Sequence, residues 1–424
     1  MRCVTEPERN LPVIDEKDVA VVGAGPAGIG AAIGAARAGA RTLLLERYGC
    51  VGGNMTVGGV LNIRQYTDDE KQIIGGVAAE LADRIRERGG TRETPAEGRY
   101  VRHDPEITKY VAQEMLLEEG VKLLLHTDFA DAVVEKDKVQ GVVTESKSGR
   151  SAILANATVD ATGDGDVLWQ AGASFEKADR KTLQPMTLTF VMGGVTCWPE
   201  PGTQELREAA QAEIETGTFP IAKPPSLFPL RREGWVYANA TRIPGDPTDT
   251  EDLTNGEIEG RRQMMALVEW LRQNASGYEN AFVVRSGARV GPRESRCLNG
   301  LYTLTREDVL AYRQFDDTIA LAAYGIDIHY SGQGGEMTWL EPGRCYGIPY
   351  RSLVPERVDG LVASGRCISA DRAAMGSARV MAICMATGQA AGVAAALAAE
   401  SGLLLRDLDA ADIRQTLIGQ GAIL

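Results

Sequence analysis

Three glycines near the start of the chain have the spacing that binds the phosphates of a dinucleotide. The stretch GAGPAG places Gly23, Gly25 and Gly28 in a GxGxxG pattern. In such a motif the glycines allow a tight turn after a strand, a close approach of a pyrophosphate to the backbone, and close packing of the helix on the sheet. Glu46 ends the next apolar run, where a carboxylate hydrogen-bonds the ribose hydroxyls and repels a 2′-phosphate. We therefore predict a dinucleotide site that disfavours NADP, rather than a turn with chance glycines.

A second glycine cluster follows in the stretch RYGCVGGNMTVGG. Gly52 and Gly53 suit a chain that runs beside an extended cofactor beyond its adenosine half, which an NAD dehydrogenase does not need. A flexible surface loop is the alternative, and it fits Gly58 and Gly59 better. Cys50 stands alone in this stretch, and we expect an inert thiol although its position would let it approach a flavin. The cluster favours FAD over NAD.

Three histidines are the candidates for proton transfer near neutral pH. His126 ends the apolar run KLLLH and is expected to be structural. His103 precedes a predicted helix start and is expected to be a cap or a surface residue. His329 lies in the polar, glycine-rich stretch IDIHYSGQGGEMTW, shortly before the chain returns to a pattern typical of the cofactor domain. We predict that His329 is the acid or base; a loop histidine without a chemical role is the alternative.

An arginine-rich stretch, GARVGPRESRC, supplies candidates for an anion clamp. Guanidinium groups bind carboxylates in a forked geometry. Of Arg289, Arg293 and Arg296 we predict the last two as the clamp; salt bridges with the excess carboxylates are the alternative. A later stretch, RCYGIPYRSL, holds side chains predicted either to line the substrate pocket or to pack the domain hinge, namely Tyr346, Tyr350 and Arg351.

The elements that must position these residues begin with a β-α-β unit. Val19 to Val22 form a predicted buried strand, a helix runs from about Pro26 to Ala38, and the next strand covers Thr42 to Leu45. This order makes at least part of the sheet parallel. Two helical patterns follow, and then several short strands whose spacing predicts an antiparallel β-meander that leads back into the main sheet.

The β-α-β pattern of the sequence stops at about residue 181 and resumes near residue 340. We predict an α/β fold in which a Rossmann-like domain, a parallel sheet with a β-meander, carries an inserted α+β substrate or cap domain. The predicted boundaries are 1–17 for a leader, 18–180 and 340–424 for the discontinuous cofactor domain, and 181–339 for the inserted domain.

Composition excludes several classes of function. The 424 residues carry a formal charge of -13, which argues against nucleic acid or anionic membrane as the main partner. None of the seven cysteines forms a CxxC pair, so a zinc or iron–sulfur site is not expected, and their scattered placement favours a reduced cytoplasmic compartment. The first residues do not have the pattern of a secretory signal.

The uncharged run from Val380 to Ala399 is long enough to span a membrane, but its Ala, Gly, Thr and Gln content favours a buried cofactor helix.

Several of these stretches resemble a known family. The motifs are DVAVVGAGPAGIGAAIGAARAG, LLLERYGCVGG, ATVDATGDGDV, GARVGPRESRCLNGLYTLTREDVL and GLVASGRCISADRAAMGSARVMAICMATGQAAGVAAALA. They are similar to those of the FAD-dependent oxidoreductases of the glutathione-reductase-like superfamily, on the branch related to fumarate reductase and to the flavoprotein component of heterodisulfide reductase. The resemblance runs through most of the chain. Its motifs are specific for FAD and say little about the substrate.

The resemblance implies cofactor-binding positions in this sequence. They are Gly23, Gly25, Gly28, Glu46, Arg47, Gly52, Gly53, Asn54, Thr162, Gly163, Asp164, Gly365, Arg366, Gly376 and Ser377. Gly376 and Ser377 would present backbone N–H groups to the flavin, where a helix dipole stabilises negative charge on the reduced ring. Asp164 and Asp166 have a structural alternative, since aspartate favours turns.

Departures from the superfamily narrow the expected activity. The cysteine pair of the dithiol reductases, a second GxGxxG and iron–sulfur cysteines do not occur in the sequence. Electrons must therefore come from a bound substrate, a transient donor or a partner protein, and a homo-oligomer is compatible with the sequence. We predict non-covalently bound FAD and hydride transfer between flavin N5 and a small organic substrate. The alternatives are a structural or non-redox FAD and, less favoured, an NAD-dependent dehydrogenase.

Overall fold

The computed structural model of the chain describes residues 3–4, 10–92, 100–196 and 204–424. Part of the predicted leader, residues 1–2 and 5–9, lies outside these ranges. The strands are β1 (Val13–Val22), β2 (Thr42–Leu45), β3 (Asn62–Arg64), β4 (Thr91–Arg92), β5 (Tyr100–His103), β6 (Lys122–Leu124), β7 (Thr127–Glu135), β8 (Lys138–Ser146), β9 (Gly149–Asp160), β10 (Phe175–Glu176), β11 (Phe190–Gly193), β12 (Leu227–Pro229), β13 (Val236–Ala238), β14 (Phe282–Ser286), β15 (Cys297–Leu298), β16 (Thr318–Ala322), β17 (Ile326–His329), β18 (Gly335–Thr338), β19 (Tyr346–Pro349) and β20 (Leu361–Ala363).

The helices alternate with these strands along the chain. They are α1 (Pro26–Arg37), α2 (Gly76–Glu87), α3 (Pro105–Glu118), α4 (Asp166–Gln170), α5 (Gln204–Thr216), α6 (Thr250–Asn274), α7 (Arg306–Leu310), α8 (Arg372–Ala378), α9 (Met381–Ser401) and α10 (Ala410–Gly419). Short 3-10 turns cover Gly53–Met55, Tyr350–Ser352, Gly365–Cys367 and Leu405–Asp407.

The largest sheet within the described residues has the order β6-β2-β1-β9-β8-β7. Strands β6, β2, β1 and β9 pair in parallel, and β7, β8 and β9 form the antiparallel meander. Strand β9 changes neighbour along its length: its first half pairs with β8, and its end pairs in parallel with β20. The predicted α/β fold, a parallel sheet with a β-meander, is confirmed. The chain returns to this sheet through β20, which explains why the β-α-β pattern of the sequence resumes near the C-terminus.

The parallel strands bring distant residues to one edge of the sheet. Strands β1, β2, β9 and β20 end at Val22, Leu45, Asp160 and Ala363, and their register places these ends side by side. In open α/β sheets the crevice outside the carboxyl ends of the strands is where ligands bind. The loops that follow these four strands therefore meet at one place.

Helix α9 packs against α1 with almost no side chain between the two backbones. A Cβ added at Gly388 would lie 2.0 Å from the carbonyl oxygen of Ala27, and one at Gly392 would lie 1.9 Å from that of Ala31. The most apolar 18-residue window of α9 is 89% buried inside the protein. The uncharged C-terminal run is thus a core helix whose small residues permit this contact, as the sequence predicts.

A second apolar cluster belongs to the region between the two halves of the main sheet. An antiparallel sheet of order β12-β13-β11-β14 packs with α6, and their buried side chains form a cluster of their own. The predicted inserted domain contains this α+β unit. However, buried residues from Leu298 to Ile328 join the cluster of the main sheet instead. Strand β1 also begins at Val13, inside the predicted leader. The division into domains as a whole stays a prediction.

Replacing Gly392 by alanine should destabilise the protein, because the new methyl group would force α1 and α9 apart. Overpacking of this kind costs about 1–3 kcal/mol. Urea unfolding followed by far-UV circular dichroism measures the change. Gly419→Ala in α10 is the matched control, since a Cβ there meets no atom of the described residues within 4 Å, and we expect a change within about 0.5 kcal/mol. Equal stability of the two variants would contradict the proposed contact.

Candidate functional site

A groove runs along the edge where β1, β2, β9 and β20 end. Ten of the predicted cofactor positions line it: Gly23, Gly25, Glu46, Arg47, Gly53, Asn54, Thr162, Gly163, Gly365 and Arg366. The structure therefore brings together residues that are more than 300 positions apart in the sequence. Gly28, Gly52 and Asp164 are not part of the lining but support it from behind. The N–H of Gly52, for example, donates to the carbonyl oxygen of Ala24 at 2.7 Å.

The glycine motif shapes the groove where α1 begins. Gly25 is the N-cap of α1, and no side chain of the described residues caps the helix there. A Cβ built at Gly25 would meet no atom of the described residues within 4 Å, so the groove itself lies against this backbone. Gly28 faces the other way, with its Cβ position 1.8 Å from the carbonyl oxygen of Gly23. An open backbone at the positive end of a helix is a binding place for phosphate groups.

Glu46 is held rigidly at the end of β2. Its Oε2 accepts a hydrogen bond from the N–H of Ala24 at 2.8 Å, and its Oε1 accepts one from the N–H of Tyr48 at 3.1 Å. The side chain is 7% exposed and lines the groove. One backbone N–H from the glycine turn and one from the loop after β2 therefore fix the carboxylate. In this position it can accept hydrogen bonds from a ribose.

The second motif, ATGDGD, is organised by a buried aspartate that the sequence analysis did not single out. Asp160 Oδ1 accepts hydrogen bonds from the N–H and the hydroxyl of Thr162, and its Oδ2 accepts one from the N–H of Leu168. Burial raises the pKa of this carboxyl, although these hydrogen bonds oppose the change. An acid that ends a buried strand just before a glycine turn is the signal in the sequence that would have identified it.

The two other acids of this motif have different surroundings. Asp164 pairs with Arg366 at 2.9 Å; burial alone would raise its pKa, but the charges of Arg366 and Arg289 lower the pKa overall. This ion pair gives Asp164 a structural role behind the groove. Asp166 lines the groove and pairs with Arg296, and burial together with the charges of Asp164 and Asp160 raises its pKa to about 6.

Two arginines of the groove were not chosen from the sequence. Arg289 donates to Asn54 Oδ1 at 3.4 Å, and its buried Nε has no hydrogen-bond partner among the described residues. Arg379 also lines the groove, and its buried Nε is likewise unpartnered there. Buried donors of this kind are costly unless a bound group accepts their hydrogen bonds. Arg289 lies in the predicted arginine-rich stretch, whereas no local signal marks Arg379.

Next to the groove, β17 presents the predicted proton-transfer residue. His329 Nε2 lies 3.3 Å from Asp327 Oδ1. Asp327 also accepts hydrogen bonds from the Tyr324 hydroxyl and, through its carbonyl oxygen, from Arg379. Burial lowers the pKa of His329 to about 4, because the opposing effect of Asp327 is smaller than the sum of burial and the nearby Arg293 charge. Asp327 thus contacts both His329 and Arg379, and Arg379 lines the groove.

The predicted arginine clamp is separated by the fold. Arg293 is buried, donates to the carbonyl oxygen of Pro185, and lies near the charges of Arg379 and Asp327. Arg296 instead stacks on the ring of Trp169 and pairs with Asp166. Only Arg293 of the two is close to His329. Arg296 supports the ATGDGD turn, and this contact favours the salt-bridge alternative for Arg296.

Several other predicted positions do not reach the groove. The hydroxyl of Tyr346 bonds that of Ser377 at 2.7 Å in the core, and the Tyr350 hydroxyl donates to the carbonyl oxygen of Leu405. Arg351 pairs with Asp317. These contacts favour packing roles for Tyr346, Tyr350 and Arg351, the alternative that the sequence left open.

The flavin-facing helix start also differs from the prediction. Gly376 and Ser377 are buried within α8. The helix ends after them, and Arg379 and Val380 lie between α8 and the start of α9. The residues that line the groove here are Arg379, Met381 and Cys384. In this part of the chain, the helix N-terminus next to the groove is that of α9 rather than that of α8.

Cys50 does not line the groove, and burial raises the pKa of its thiol. This placement favours the inert thiol over an approach to the flavin. His103 is buried rather than on the surface, with its ring held by Thr108 and the carbonyl oxygen of Val60. No group of three or more His, Cys, Asp or Glu side chains within the described ranges is arranged to hold a metal ion.

Together, the parallel sheet, the open helix start and the fixed acid after β2 define a dinucleotide-binding protein. The chain belongs to the FAD-dependent oxidoreductase family: the model of this family matches residues 18–417. The fold is shared with a geranylgeranyl bacteriochlorophyll reductase-like protein from Thermoplasma acidophilum, with a TM-score of 0.51, 15% identity, and 95% of this chain and 82% of that one covered.

Curated relatives match a shorter part of the chain. It is 32% identical over 128 residues to the thiamine thiazole synthase of Pyrococcus horikoshii, which covers 30% of this chain and 46% of that protein. It is 31% identical over 184 residues to the thiamine thiazole synthase of Aeropyrum pernix, which covers 40% of this chain and 63% of that protein. The chain thus spans about half to two thirds of the length of these relatives.

The residues of the groove fit FAD. The backbone at Gly25 leaves room for a pyrophosphate, Arg289 has a buried donor to offer, and Glu46 is positioned for a ribose. Gly53, Asn54 and the start of α9 would hold the remaining part. When bound there, FAD supplies the hydride acceptor or donor.

Gly25→Ala should fold normally but bind FAD more weakly. The residue has φ -71, which alanine adopts without strain, and its new methyl group would occupy only the groove. We expect the dissociation constant for FAD to rise at least about tenfold, which corresponds to roughly 1.4 kcal/mol. Titration of the apoprotein with FAD, followed by quenching of flavin fluorescence, measures this. The thermal midpoint of the apoprotein should stay unchanged; a loss of stability without a loss of affinity would contradict the placement of the cofactor.

Proposed function

We propose that the enzyme transfers a hydride between a small organic substrate and N5 of non-covalently bound FAD, with His329 as the proton acceptor or donor. The observation that carries this proposal is the chain of contacts from the groove to β17. Arg379 lines the groove and donates to the carbonyl oxygen of Asp327 at 2.8 Å, and the Asp327 carboxylate contacts His329. A titratable imidazole is thereby held next to the expected cofactor.

The contact with Asp327 determines which ring nitrogen of His329 is free to accept a proton. Since His329 Nε2 faces the Asp327 carboxylate, this nitrogen carries the proton and Nδ1 keeps its lone pair. The lowered pKa keeps the ring neutral at neutral pH. His329 is therefore ready to accept a proton from a substrate hydroxyl or amine while the carbon bound to it gives up a hydride.

Anaerobic reduction of the FAD-loaded enzyme by a panel of alcohols, amines and hydroxy acids tests the proposal. A substrate that bleaches the visible flavin band supports it. His329→Ala should slow this reduction at least about a hundredfold, the usual size of a general acid–base contribution. His126→Asn is the control, because His126 is exposed and lies outside the groove lining. An unchanged rate of flavin reduction in His329→Ala would remove His329 from the mechanism.

The pH dependence of flavin reduction follows from the same group. The neutral imidazole is the active base, and it is lost only when the pH falls through the pKa of the free enzyme, about 4. The apparent second-order rate constant of flavin reduction should therefore stay level from pH 8 to about pH 5 and fall below that. Stopped-flow reduction at each pH measures it. An inflection near the ordinary histidine pKa of about 6.5 that persists in Asp166→Asn and in Lys223→Gln, whose parent groups have pKa values of about 6 and about 7, would contradict the burial of His329 in this role.

A flavoprotein with a non-redox FAD is the second candidate. The curated relatives are named synthases rather than oxidoreductases, which favours retaining it. In that case no substrate or reductant of the panel would bleach the flavin, although the protein would bind FAD.

Finer assignments complete the proposal. We propose a cytoplasmic location, on the basis of the scattered cysteines, and an electron-transfer partner or homo-oligomer, because the sequence has no second dinucleotide motif. The similarity of the motifs to the branch related to fumarate reductase and to the flavoprotein component of heterodisulfide reductase supports placing the chain there.

A further inference from the structure

Among the described residues around His329, positive side chains outnumber negative ones. Arg242 and Arg293 are 7% and 9% exposed, and their charges act on each other and on Asp327. Burial, and after it the charge of Arg379, lowers the pKa of Arg293 to about 10. Lys223 lies in the same field, where burial and the charges of Arg293 and Arg242 lower its pKa to about 7. The group needs more negative charge than its neighbours supply.

Two acids of the described residues border this cluster, and both are already engaged. Glu294 accepts from the Gln184 N–H and pairs with Arg372, and Asp327 faces the cations. Oδ1 contacts His329 Nε2, and Oδ2 accepts from Tyr324 at 3.2 Å and lies 3.6 Å from Arg379. Arg242 instead donates hydrogen bonds to the carbonyl oxygens of Gly332 and Gly334. One carboxylate therefore serves several cations. Buried charges without a full counter-charge are costly, and an incoming anion would relieve that cost.

Two unused hydrogen-bond donors lie at the same place. Gln184 is 1% exposed, and its Oε1 accepts from the N–H of His329 at 3.1 Å and from Arg379 at 3.4 Å. Its Nε2 and the Nε of Arg379 are buried, with no hydrogen-bond partner among the described residues. Gln184 and Arg379 touch each other, and Gln184 also touches His329. Their free donors therefore belong to one small region next to the groove.

We propose that Arg293, Arg379 and Gln184 bind a carboxylate group of the substrate and hold the substrate beside His329. This rests on the proposed function, since it names the chemical class of the substrate that the same site oxidises or reduces. Arginine and amide N–H groups match the two oxygens of a carboxylate. Sequence position alone suggested Arg293 with Arg296; the fold replaces Arg296 by Arg379 and adds Gln184.

Binding of benzoate to the oxidised, FAD-loaded enzyme tests this without turnover. We expect saturable changes in the visible flavin spectrum and a higher thermal midpoint, at constant ionic strength. Benzamide, which has the same shape without the charge, should give neither. Because FAD is already bound, a cluster neutralised by the cofactor's own phosphates would leave benzoate without effect, and this result would overturn the proposal.

Variants locate the site. Arg293→Gln should raise the dissociation constant of benzoate at least about tenfold, since a hydrogen bond between charged groups is lost. Arg293→Lys, which keeps the charge, should have a smaller effect, and it serves as the second variant if Arg293→Gln folds poorly. Arg262→Gln on the exposed face of α6 is the control and should bind like the parent enzyme. Equal affinity of Arg293→Gln, Arg293→Lys and the control would overturn the assignment.

The two proposals fail in distinguishable ways. If benzoate binds as expected but no compound of the substrate panel reduces the flavin, the redox function is wrong and the carboxylate site stands. If only uncharged compounds reduce the flavin, and benzoate does not bind, the redox function stands and the carboxylate site is wrong.

Discussion

The contact between the backbones of α1 and α9 is the constraint on which the site depends. Glycines at positions 388 and 392 let α9 touch the carbonyl oxygens of Ala27 and Ala31. Since α1 starts at the carboxyl end of β1, this contact also brings the start of α9 to that edge of the sheet. Gly25 and Met381 consequently line one groove. A bulkier pair of helices would separate the two helix starts and widen the groove between them.

The charges along the groove are balanced at one end and unbalanced at the other. Around the ATGDGD turn, Arg366 pairs with Asp164 and Arg296 with Asp166, so that acids and bases nearly cancel. Around Arg379, Asp327 supplies the carboxylate that these cations share within the part of the chain that the structure describes. The first arrangement stabilises the turn that supports the cofactor. The second arrangement leaves repulsion between the cations, which a bound anion would reduce, and this difference separates the supporting residues from those proposed to bind.

Local patterns predicted the part of the site that local backbone geometry builds. The glycine motif, Glu46 and the return of the chain at Gly365 could be found because a tight turn or a strand end requires those residue types where they stand. The helix break at Arg379 could not, because residues 373–399 are mostly small or apolar on both sides of Arg379 and contain no proline or glycine at the break. Gly376 was therefore expected at a helix start that lies a few residues later. Asp160 was overlooked although its position at a strand end marks it.

The substrate side is assembled from contacts that no local pattern records. Gln184 reaches His329 across 145 residues of sequence, and Arg242 holds the tip of the β17–β18 hairpin through the carbonyl oxygens of Gly332 and Gly334. The position of His329 therefore depends on the segments around Gln184 and Arg242, which are distant from it in sequence. Arg379 joins the two sides, because it lines the groove and also bonds the backbone of Asp327.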